Sequence, residues 1–326
     1  MDNPETTKHP VIGMVLQQMR ATHTVRLLDV HRLTGDEAIA HEEVHPLADI
    51  YLLKSHTLQA LKVAHHLEKR GAFVVNSWAS SLACQDRVLM AQRMKEARLP
   101  WPRTWSFPSL EDALGQHSLL SALPFPLIIK SRYSHRGDLV DRVHNVKQLQ
   151  TLAGQWNQEP FILQEFVHGD GWDIKLWIID QQIFAARRRT PLEANAPKED
   201  FPIPTEKLPS DWRAITLEIG RVFNLRLYGV DLLLTEQGPI IVDVNSFPGF
   251  RGVAGADSAL IALIERLVEE RQVTARPPIF RHECFYPRTS SVLMPLFERA
   301  NRSLLPRARL FVRYLRRKPG RGLAVI

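Results

Sequence analysis

Residues 1–83 alternate short apolar runs with a helical segment. Apolar side chains fill positions 11–16, 48–53 and 72–75, and each run predicts a strand. Residues 58–70 instead repeat apolar side chains at helical spacing, and this pattern ends before a glycine. Strands that alternate with helices are typical of a parallel sheet, so we expect a small amino-terminal α/β domain here.

The pattern then passes through a predicted helix into further strands. Residues 80–99 predict a helix that ends at two prolines, because a proline restricts the residue before it to extended conformations. An apolar strand over residues 125–131 brings Lys130 to its end. The other elements predicted here are a short strand from 103, a serine-capped helix from 109, a helix over 146–156 and a strand over 160–167.

Two β-hairpins are predicted in the second half of the chain. The first covers residues 174–186 and the second covers residues 228–244, each with a polar turn between two apolar runs. A helix over residues 211–223 precedes the second hairpin, and a helix over 256–271 follows it. With the preceding strands, these elements predict an α+β domain over residues 84–272.

Composition places the chain among soluble globular proteins. Of its 326 residues, 44% are hydrophobic and 24% are charged, which is enough apolar surface for a sizeable core. No run approaches the roughly 20 apolar residues that span a bilayer, and the amino terminus does not have the pattern of a secretory signal. We therefore expect a cytoplasmic protein without a transmembrane segment. Cys84 and Cys284 are too few for a disulfide framework and are interpreted as packing residues.

The net charge of +7 belongs to the end of the chain. Residues 301–326 contain eight lysines or arginines and no acid, and the rest of the chain carries 34 basic and 35 acidic side chains. This basic segment lies in a predicted carboxy-terminal extension, residues 273–326. We interpret it as a segment that is dispensable for activity and attaches the protein to an anionic partner, either lipid or nucleic acid. The alternative is a basic extension docked on the rest of the protein.

The second predicted hairpin gathers three oxygen ligands on one face. If its strands pair about Gln237, Asp231 lies opposite Asp243, and Asn245, two residues on, shares their face. Carboxylates set among so many apolar residues are costly to bury without a cation. Two carboxylates and an amide suit Mg²⁺, which prefers oxygen ligands and completes its octahedron with water and phosphate. The alternative is that Asp231 faces solvent and Asp243 merely ends a strand.

Residues 228–250, which contain these ligands, resemble the metal-binding end of the ATP-grasp enzymes. Further pieces that resemble the family follow in the expected order, at residues 84–87, 126–130, 162–167 and 173–175. The resemblance implies an ATP-grasp fold of two α+β subdomains. It also implies ATP and Mg²⁺ as cofactors, with Mn²⁺ as an alternative ion.

The resemblance also implies a role for each matched residue. Arg87 stands where the family has a lysine, and Lys130 holds an ATP phosphate. The residues that bracket adenine are Gln164, Glu165, Phe166 and Val167, followed by Asp173 and Lys175 for the ribose and the phosphates. The metal ligands are Asp231, Asp243 and Asn245.

Three consecutive arginines end the first hairpin. On an alternating strand Arg187 and Arg189 face one side and Arg188 faces the other, so not all three can enter one site. The resemblance implies that a basic residue here holds the transferring phosphate and the anionic intermediate, which suits a guanidinium group. We assign this catalytic role to Arg187 and Arg189, together with Lys175. The nearby Trp172 and Trp177 are interpreted as packing residues.

The loop over residues 131–138 covers phosphates in this family but is poor in glycine here. Its single glycine is Gly137, and it offers the polar or cationic side chains of Ser134, His135 and Arg136 instead. His135 is either a phosphate contact or an ordinary surface histidine.

Two reactions are compatible with these motifs. The hairpin and its interval from Asp231 to Asp243 resemble RimK-type ligases, in which a substrate carboxylate is activated as an acyl phosphate and captured by an amine. Residues 130–135 and 245–250 resemble the ATP-grasp inositol polyphosphate kinases, in which an alcohol attacks instead. The Asn and Arg-Gly motif of RimK-type enzymes is missing from residues 192–211, which weakens glutamate addition specifically. We favour the ligase, with small-molecule or peptide carboxylates and amines as substrates, over the kinase and over a non-catalytic ATP-binding module.

Overall fold

The computed structural model describes residues 9–30, 34–134, 138–156, 159–189, 200–274 and 322–325. The helices in these ranges are α1 (Pro10–Thr22), α2 (Gly35–Glu43), α3 (Leu58–Lys69), α4 (Trp78–Gln85), α5 (Arg87–Glu96), α6 (Leu110–Gly115), α7 (His117–Ala122), α8 (Val146–Trp156), α9 (Ser210–Phe223) and α10 (Ala256–Thr274). The strands are β1 (Thr24–Leu27), β2 (Ile50–Leu52), β3 (Val74–Val75), β4 (Thr104–Phe107), β5 (Leu127–Ser131), β6 (Val140–Val143), β7 (Phe161–Glu165), β8 (Trp172–Ile179), β9 (Gln182–Arg189), β10 (Asp200–Ile203), β11 (Leu227–Thr235), β12 (Gly238–Asn245) and β13 (Gly322–Val325).

The amino-terminal sheet is parallel, as the sequence predicts. Its strand order is β1-β13-β2-β3, and every neighbouring pair is parallel. All three residues of β2 are buried, as expected for a strand of a parallel sheet that is covered on both faces. α3 begins after Thr57, whose hydroxyl accepts the N–H of Ala60, and it ends at the glycine turn that the sequence indicates.

Residues 11–16 form a helix, so the strand predicted there is wrong. α1 begins at Pro10, a favoured residue for the first helical position, and the ring of His9 accepts the N–H of Ile12. The apolar run continues at helical spacing beyond residue 16, which a window of six residues could not show. The buried face consists of Val11, Ile12, Val15, Leu16 and Met19.

The last residues of the chain belong to the amino-terminal sheet. β13 lies between β1 and β2, and its Leu323 and Ala324 are fully buried. The prediction that the whole tail is a separate attachment segment is therefore wrong for residues 322–325. Residues 275–321, which contain the eight cations, lie outside the described part of the chain, so the anionic partner stays a prediction.

An aspartate divides the helix predicted over residues 80–99 into α4 and α5. Asp86 is extended, and its carboxylate accepts the N–H groups of Val88 (2.9 Å) and Leu89 (3.4 Å). This N-cap starts a new helix at Arg87. The domain boundary predicted between residues 83 and 84 falls inside α4, and the division into domains stays a prediction.

Two antiparallel sheets complete the fold and confirm the predicted fold class. One sheet has the order β4-β7-β5-β6 and the other the order β10-β9-β8-β11-β12. Both predicted hairpins form, β8 with β9 and β11 with β12. α9 packs its buried Thr216, Ile219 and Phe223 beside the second sheet.

Asn76 connects the amino-terminal sheet to the five-stranded antiparallel sheet by hydrogen bonds. It follows β3 and is buried, and its amide nitrogen donates to the carbonyl oxygens of Leu227 and Ser246. Its amide oxygen accepts the N–H of Arg226 at 2.9 Å. These bonds hold the end of β3 against the segment that follows Asn245, so the carboxy end of β12 has a fixed position in the fold.

Two of the residues interpreted as packing residues are buried. Cys84 lies in α4, where burial raises the pKa of its thiol. Trp177 is buried in a hydrophobic cluster that also contains Leu52 and Leu323 of the amino-terminal sheet. Its indole N–H donates to the carbonyl oxygen of Gly249 at 2.9 Å. Trp172 is only partly buried, and Cys284 lies outside the described residues.

Candidate functional site

A cavity of 530 Å³ lies between the two antiparallel sheets. One wall comes from β5, β6 and β7, and the other comes from β8, β11 and β12. Nine of the predicted site residues line it, namely Arg87, Lys130, Gln164, Glu165, Phe166, Val167, Asp173, Asp231 and Asp243. The structure therefore brings together most of a set of residues that the chain spreads over some 150 positions.

Lys130 lies near the end of β5 in the first wall. Among the described residues no carboxylate bonds to its ammonium group. Its ammonium group donates to the carbonyl oxygen of Val242 at 3.1 Å. Burial lowers the pKa of Lys130 to about 8, against the opposing effect of Asp243 and with a smaller contribution from Arg87. An anion beside this ammonium would restore its pKa, which makes Lys130 a suitable partner for a phosphate.

Arg87 lies in the same wall and fixes the segment that follows β5. It is buried, donates to the carbonyl oxygen of Ser131 at 2.7 Å and lies 2.8 Å from a carboxylate oxygen of Asp138. Its Nε is buried and has no hydrogen-bond partner in the described part of the chain. Because Arg87 lines the cavity, its guanidinium group suits a bound polar ligand such as a phosphate oxygen.

The residues after Lys130 are tied to the start of α5. Arg132 forms a two-pronged ion pair with Asp86, with its shortest nitrogen–oxygen distance at 2.7 Å. Ser134 donates its N–H to the carbonyl oxygen of Gln85 at 2.8 Å. The predicted phosphate-covering loop is thus anchored at its first residues, while His135, Arg136 and Gly137 lie outside the described residues.

The second wall carries the acidic residues in one row. Asp231 lies opposite Asp243 on β12 and opposite Lys175 on β8. The ammonium of Lys175 lies 2.9 Å and 3.2 Å from the two carboxylate oxygens of Asp231. Burial alone would lower the pKa of Lys175, but the charge and hydrogen bond of Asp231 outweigh it, and the pKa is raised.

The predicted pairing of Asp231 with Asp243 is confirmed, and it depends on a β-bulge. Next to the turn, Thr235 pairs with Gly238, and the same register continues to the pair Leu232 and Ile241. This register differs by one residue from the predicted one. A shift between Asp231 and Leu232 then places the two carboxylates opposite each other. Bulges commonly redirect side chains beside functional sites, as this one does.

Asn245 stands at the end of the acidic row but does not line the cavity. It pairs with Gly229, and its amide oxygen accepts the N–H of Phe247 at 2.9 Å. In the described residues no group of three His, Cys, Asp or Glu side chains is close enough to hold a metal by itself. Asp231, Asp243 and Asn245 would offer two carboxylates and one amide, which would fit a hard cation that takes further oxygen ligands from phosphate and water.

The predicted adenine segment forms the end of β7 and the turn after it. Gln164 is buried and donates to the hydroxyl of Thr104 at 3.3 Å. Phe166 packs edge-on to the ring of His168 and lies 5.3 Å below the guanidinium of Arg142. Apolar side chains of Ile128, Val140 and Leu233 also line the cavity, so a flat aromatic base has apolar surface on several sides.

The carboxylate of Glu165 is ion-paired with Arg103, which does not line the cavity. Arg103 binds both of its oxygens, at 3.1 Å and 3.0 Å. The hydrogen bond from Arg103 lowers the pKa of Glu165, although burial opposes the shift. Any contact that Glu165 makes with a base would therefore come from its main chain rather than its side chain.

The three arginines divide between the two faces of β9, as the alternation predicts. Arg188 lies opposite Asp173 and shares the face of Lys175 and Asp231, whereas Arg187 and Arg189 lie on the other face. The guanidinium groups of Arg187 and Arg189 lie over the ring of Trp172, at 4.3 Å and 4.0 Å from its centroid. The catalytic assignment of Arg187 and Arg189 is therefore corrected, because the structure does not bring them to the cavity face.

Arg188, to which the sequence analysis assigns no role, lies opposite Asp173, a residue that lines the cavity. It forms a two-pronged ion pair with Asp200 on β10, at 2.5 Å and 2.7 Å. Hydrogen bonding to Asp200 raises the pKa of Arg188, and the charges of Asp231 and Asp173 add to the shift because they share its face. The turn at Asp180-Gln181 already places residue 188 opposite Asp173, so the hairpin register was the available signal.

The comparison with protein families identifies this arrangement. A sequence model described as the RimK-like ATP-grasp domain matches residues 74–266, more than half of the chain. The chain belongs to the RimK-like ATP-grasp family. This family uses ATP and Mg²⁺ and contains carboxylate–amine ligases, which confirms the resemblance and the predicted class of enzyme.

Curated relatives of this RimK-like enzyme carry the name of a ligase. A probable alpha-L-glutamate ligase of Legionella pneumophila (strain Corby) is 23% identical over 231 residues, which cover 69% of this chain and 76% of the relative. A probable alpha-L-glutamate ligase of Stenotrophomonas maltophilia (strain K279a) is 22% identical over 275 residues, 78% of this chain and 91% of the relative.

Solved structures confirm the ATP-grasp fold. A RimK domain ATP-grasp protein from Sphaerobacter thermophilus DSM 20745 superposes with a TM-score of 0.56 at 19% identity and covers 74% of this chain and 98% of its own. A D-alanine–D-alanine ligase from Bacillus anthracis gives a TM-score of 0.58 at 18% identity and covers 81% and 96%. At such identities the likeness is one of fold.

Proposed function

We propose that this RimK-like enzyme uses ATP to activate a substrate carboxylate as an acyl phosphate, which an amine then captures to form an amide. The observation that carries the proposal is the meeting of cationic and acidic residues in one cavity. Lys130 and Arg87 line one wall, Asp231 and Asp243 line the other, and Lys175 is ion-paired to Asp231. This charge pattern suits the phosphates of a nucleotide and the cation that accompanies them.

The nucleotide would extend from the apolar end of the cavity to the charged end. The base would lie against residues 164–167, with main-chain groups reading its edge, and Asp173 would accept hydrogen bonds from the ribose hydroxyls. Lys130 and Lys175 would hold the phosphates. The guanidinium group of Arg87, which lines the same cavity, would donate to the same ligand.

Mg²⁺ would be held by Asp231, Asp243 and Asn245, with Mn²⁺ as an alternative ion. When bound, such an ion neutralises phosphate charge and polarises the phosphoryl group for attack. Asp231 also bonds Lys175, so this carboxylate would hold the lysine in position beside the phosphates.

The chemistry requires no covalent bond to the protein. A carboxylate oxygen of the substrate attacks the γ-phosphorus, and the electron pair of the breaking P–O bond leaves on ADP. The amine then attacks the acyl carbon, phosphate leaves with the electron pair of the C–O bond, and the amine proton passes to solvent or phosphate. Arg188 would stabilise the negative charge that builds up on the transferring group and on the anionic intermediate.

The names of the relatives suggest that the amine is an amino acid, and L-glutamate is the first to test. Neither the matched family nor the names of the relatives favour the inositol polyphosphate kinase chemistry. No helix in the described ranges is long and apolar enough to cross a bilayer, and we propose the cytoplasm as the compartment of the reaction.

The test is ATP turnover with a panel of carboxylates and amines, L-glutamate among them, in Mg²⁺ or Mn²⁺. Hydroxylamine included as a trap should convert an acyl phosphate into a hydroxamate. Hydroxamate formation that depends on both ATP and a carboxylate supports the ligase. Phosphorylation of an inositol phosphate or another alcohol, with no hydroxamate from any carboxylate, would refute it.

A further inference from the structure

A second groove, of 740 Å³, lies between α5 and β4 and shares no lining residue with the nucleotide cavity. Its walls are the exposed side of α5, the loop after it and the strand β4. β4 is an edge strand, since its sheet has the order β4-β7-β5-β6. The groove thus runs along one open edge of a sheet.

The main chain of β4 offers hydrogen-bonding groups to this groove. Glu165 donates its N–H to the carbonyl oxygen of Arg103 at 2.8 Å, which fixes which residues of β4 bond to β7. In an antiparallel pair every second residue bonds to the neighbouring strand, so the main-chain N–H and C=O groups of Trp105 and Phe107 point towards β7. The N–H and C=O groups of Thr104 and Ser106 therefore point to the groove side, where an added strand can bond to them.

The side chains around this edge are cationic and aromatic. Lys95, Arg98 and Arg103 line the groove together with Trp101 and Trp105, and no acidic residue lines it among the residues described. All three cations are exposed. Arg103 is bonded to Glu165, while Lys95 and Arg98 contact no carboxylate in the described ranges.

We propose that this groove binds an extended acidic segment of another polypeptide, which adds to β4 as a fifth strand of the sheet. Main-chain hydrogen bonds to Thr104 and Ser106 would hold the segment, and acidic side chains would meet Lys95 and Arg98. The basic tail of this chain does not suit the groove, because like charges would meet. Single-stranded nucleic acid suits the cations and tryptophans but not a strand edge.

The test measures binding of a fluorescein-labelled peptide of about nine residues, in which glutamate alternates with valine, to the full chain by anisotropy. We expect saturable binding that weakens as salt rises. A peptide with lysine in place of glutamate should bind at least about tenfold more weakly. Absence of saturable binding by the glutamate peptide would overturn the proposal.

Charge reversal tests the cations. The double variant Lys95→Glu, Arg98→Glu should weaken binding of the glutamate peptide by about tenfold or more. The matched control Lys147→Glu, Arg221→Glu reverses two exposed cations on α8 and α9 and should bind within about twofold of the wild type. Equal losses in the two double variants would show only a general charge effect and would contradict a built site.

A substitution pair at Ser106 separates strand addition from charge. Proline is tolerated on an edge strand when its N–H would point outward, so Ser106→Pro should fold and still turn over ATP while losing a donor to the peptide. We expect Ser106→Pro to weaken binding at least about fivefold, and Ser106→Ala, which keeps the N–H, to leave it unchanged. Unchanged binding by a folded Ser106→Pro, or tighter binding of a single-stranded oligonucleotide that displaces the peptide, would overturn the proposal.

Discussion

The two walls of the nucleotide cavity hold their lysines in different electrostatic states. Lys130 on β5 bonds to a main-chain carbonyl oxygen, and burial lowers its pKa to about 8. Lys175 on β8 bonds to both carboxylate oxygens of Asp231, and its pKa is raised. The first wall therefore has a cation that an anionic ligand would stabilise, whereas the second has a cation already stabilised within the protein.

This difference assigns separate tasks to the walls. A phosphate that binds Lys130 replaces solvation lost on burial, so this lysine should contribute mainly to nucleotide affinity. The second wall combines Lys175 with Asp231, Asp243 and Arg188, and removal of one member leaves charges of the others unbalanced. We therefore expect substitutions on the second wall to affect turnover more than substitutions on the first.

The largest effect is expected from Asp243→Asn. It removes a carboxylate from the second wall at nearly constant volume, so turnover should fall by at least about a thousandfold while the melting temperature stays close to that of the wild type. Steady-state ATP turnover and thermal unfolding check this. Asp211→Asn on the exposed start of α9 is the control, and wild-type turnover by Asp243→Asn would contradict the metal proposal.

The next effect distinguishes the two faces of β9. Arg188→Ala should lower kcat by about a hundredfold, more than it raises the KM for ATP, because the charge that it stabilises develops during the reaction. Arg187→Ala, which removes a guanidinium group stacked on Trp172, should change kcat by less than about twofold. A larger loss of kcat in Arg187→Ala than in Arg188→Ala would restore the original assignment.

A smaller effect, on the KM for ATP, is expected from a change of pH, and it depends on Lys130 in the first wall. A lysine with a pKa near 8 is about one-tenth protonated at pH 9, so the KM for ATP should rise about tenfold between pH 7 and pH 9. ATP binding should take up a proton in this range. Lys130→Ala should have a high KM that no longer depends on pH here, and a wild-type KM independent of pH would contradict the assignment to Lys130.

The same pKa has a consequence for folding that does not depend on ATP. Because the pKa of Lys130 is lowered from 10.5 to about 8, the unfolded chain binds more protons than the folded one between these values. The contribution of Lys130 to stability therefore rises with pH between about 8 and 10.5 and is lowest below pH 8. Lys130→Met should remove this dependence in urea unfolding measured across that range.

The smallest effect on the cavity is expected from a change in the amino-terminal sheet. Leu323→Asp buries a carboxylate in β13, where Leu323 is fully buried, and it should lower the free energy of unfolding by about 3 kcal/mol or more. Turnover per folded molecule should change little, because β13 lines neither wall. The matched control is Leu217→Asp at an exposed position of α9, and equal stability of the two variants would contradict the placement of β13.

Local patterns predicted most elements of both walls but not the strand that completes the amino-terminal sheet. The hairpins and the strand before Lys130 follow from alternation and turn residues, which act over a few positions. β13 is four residues long and pairs with strands about 270 and 300 positions earlier, so no local pattern reveals it. The sequence predicts a strand in place of the first part of α1, because a run of six residues is too short to distinguish the helical period of 3.6 from the strand period of 2.

The candidate site shows the same limit at finer scale. Motifs located Lys130, Lys175, Asp231 and Asp243, because each lies within a strand whose neighbours are distinctive. The choice among the three adjacent arginines depends on which face of β9 turns to the cavity, and only the register of the whole hairpin, which pairs Arg188 with Asp173, indicates that face. The unpartnered Nε of Arg87 follows from burial in three dimensions and has no signature in sequence.

The central claim, carboxylate activation in this cavity, is tested most directly with a carboxylate substrate labelled with ¹⁸O. Each turnover should transfer one labelled oxygen from the carboxylate to inorganic phosphate, because the oxygen that attacks the γ-phosphorus leaves with the phosphate when the amine captures the acyl group. Mass spectrometry of the phosphate measures this transfer. One ¹⁸O per phosphate is the expected result, and amide formation with unlabelled phosphate would contradict the claim.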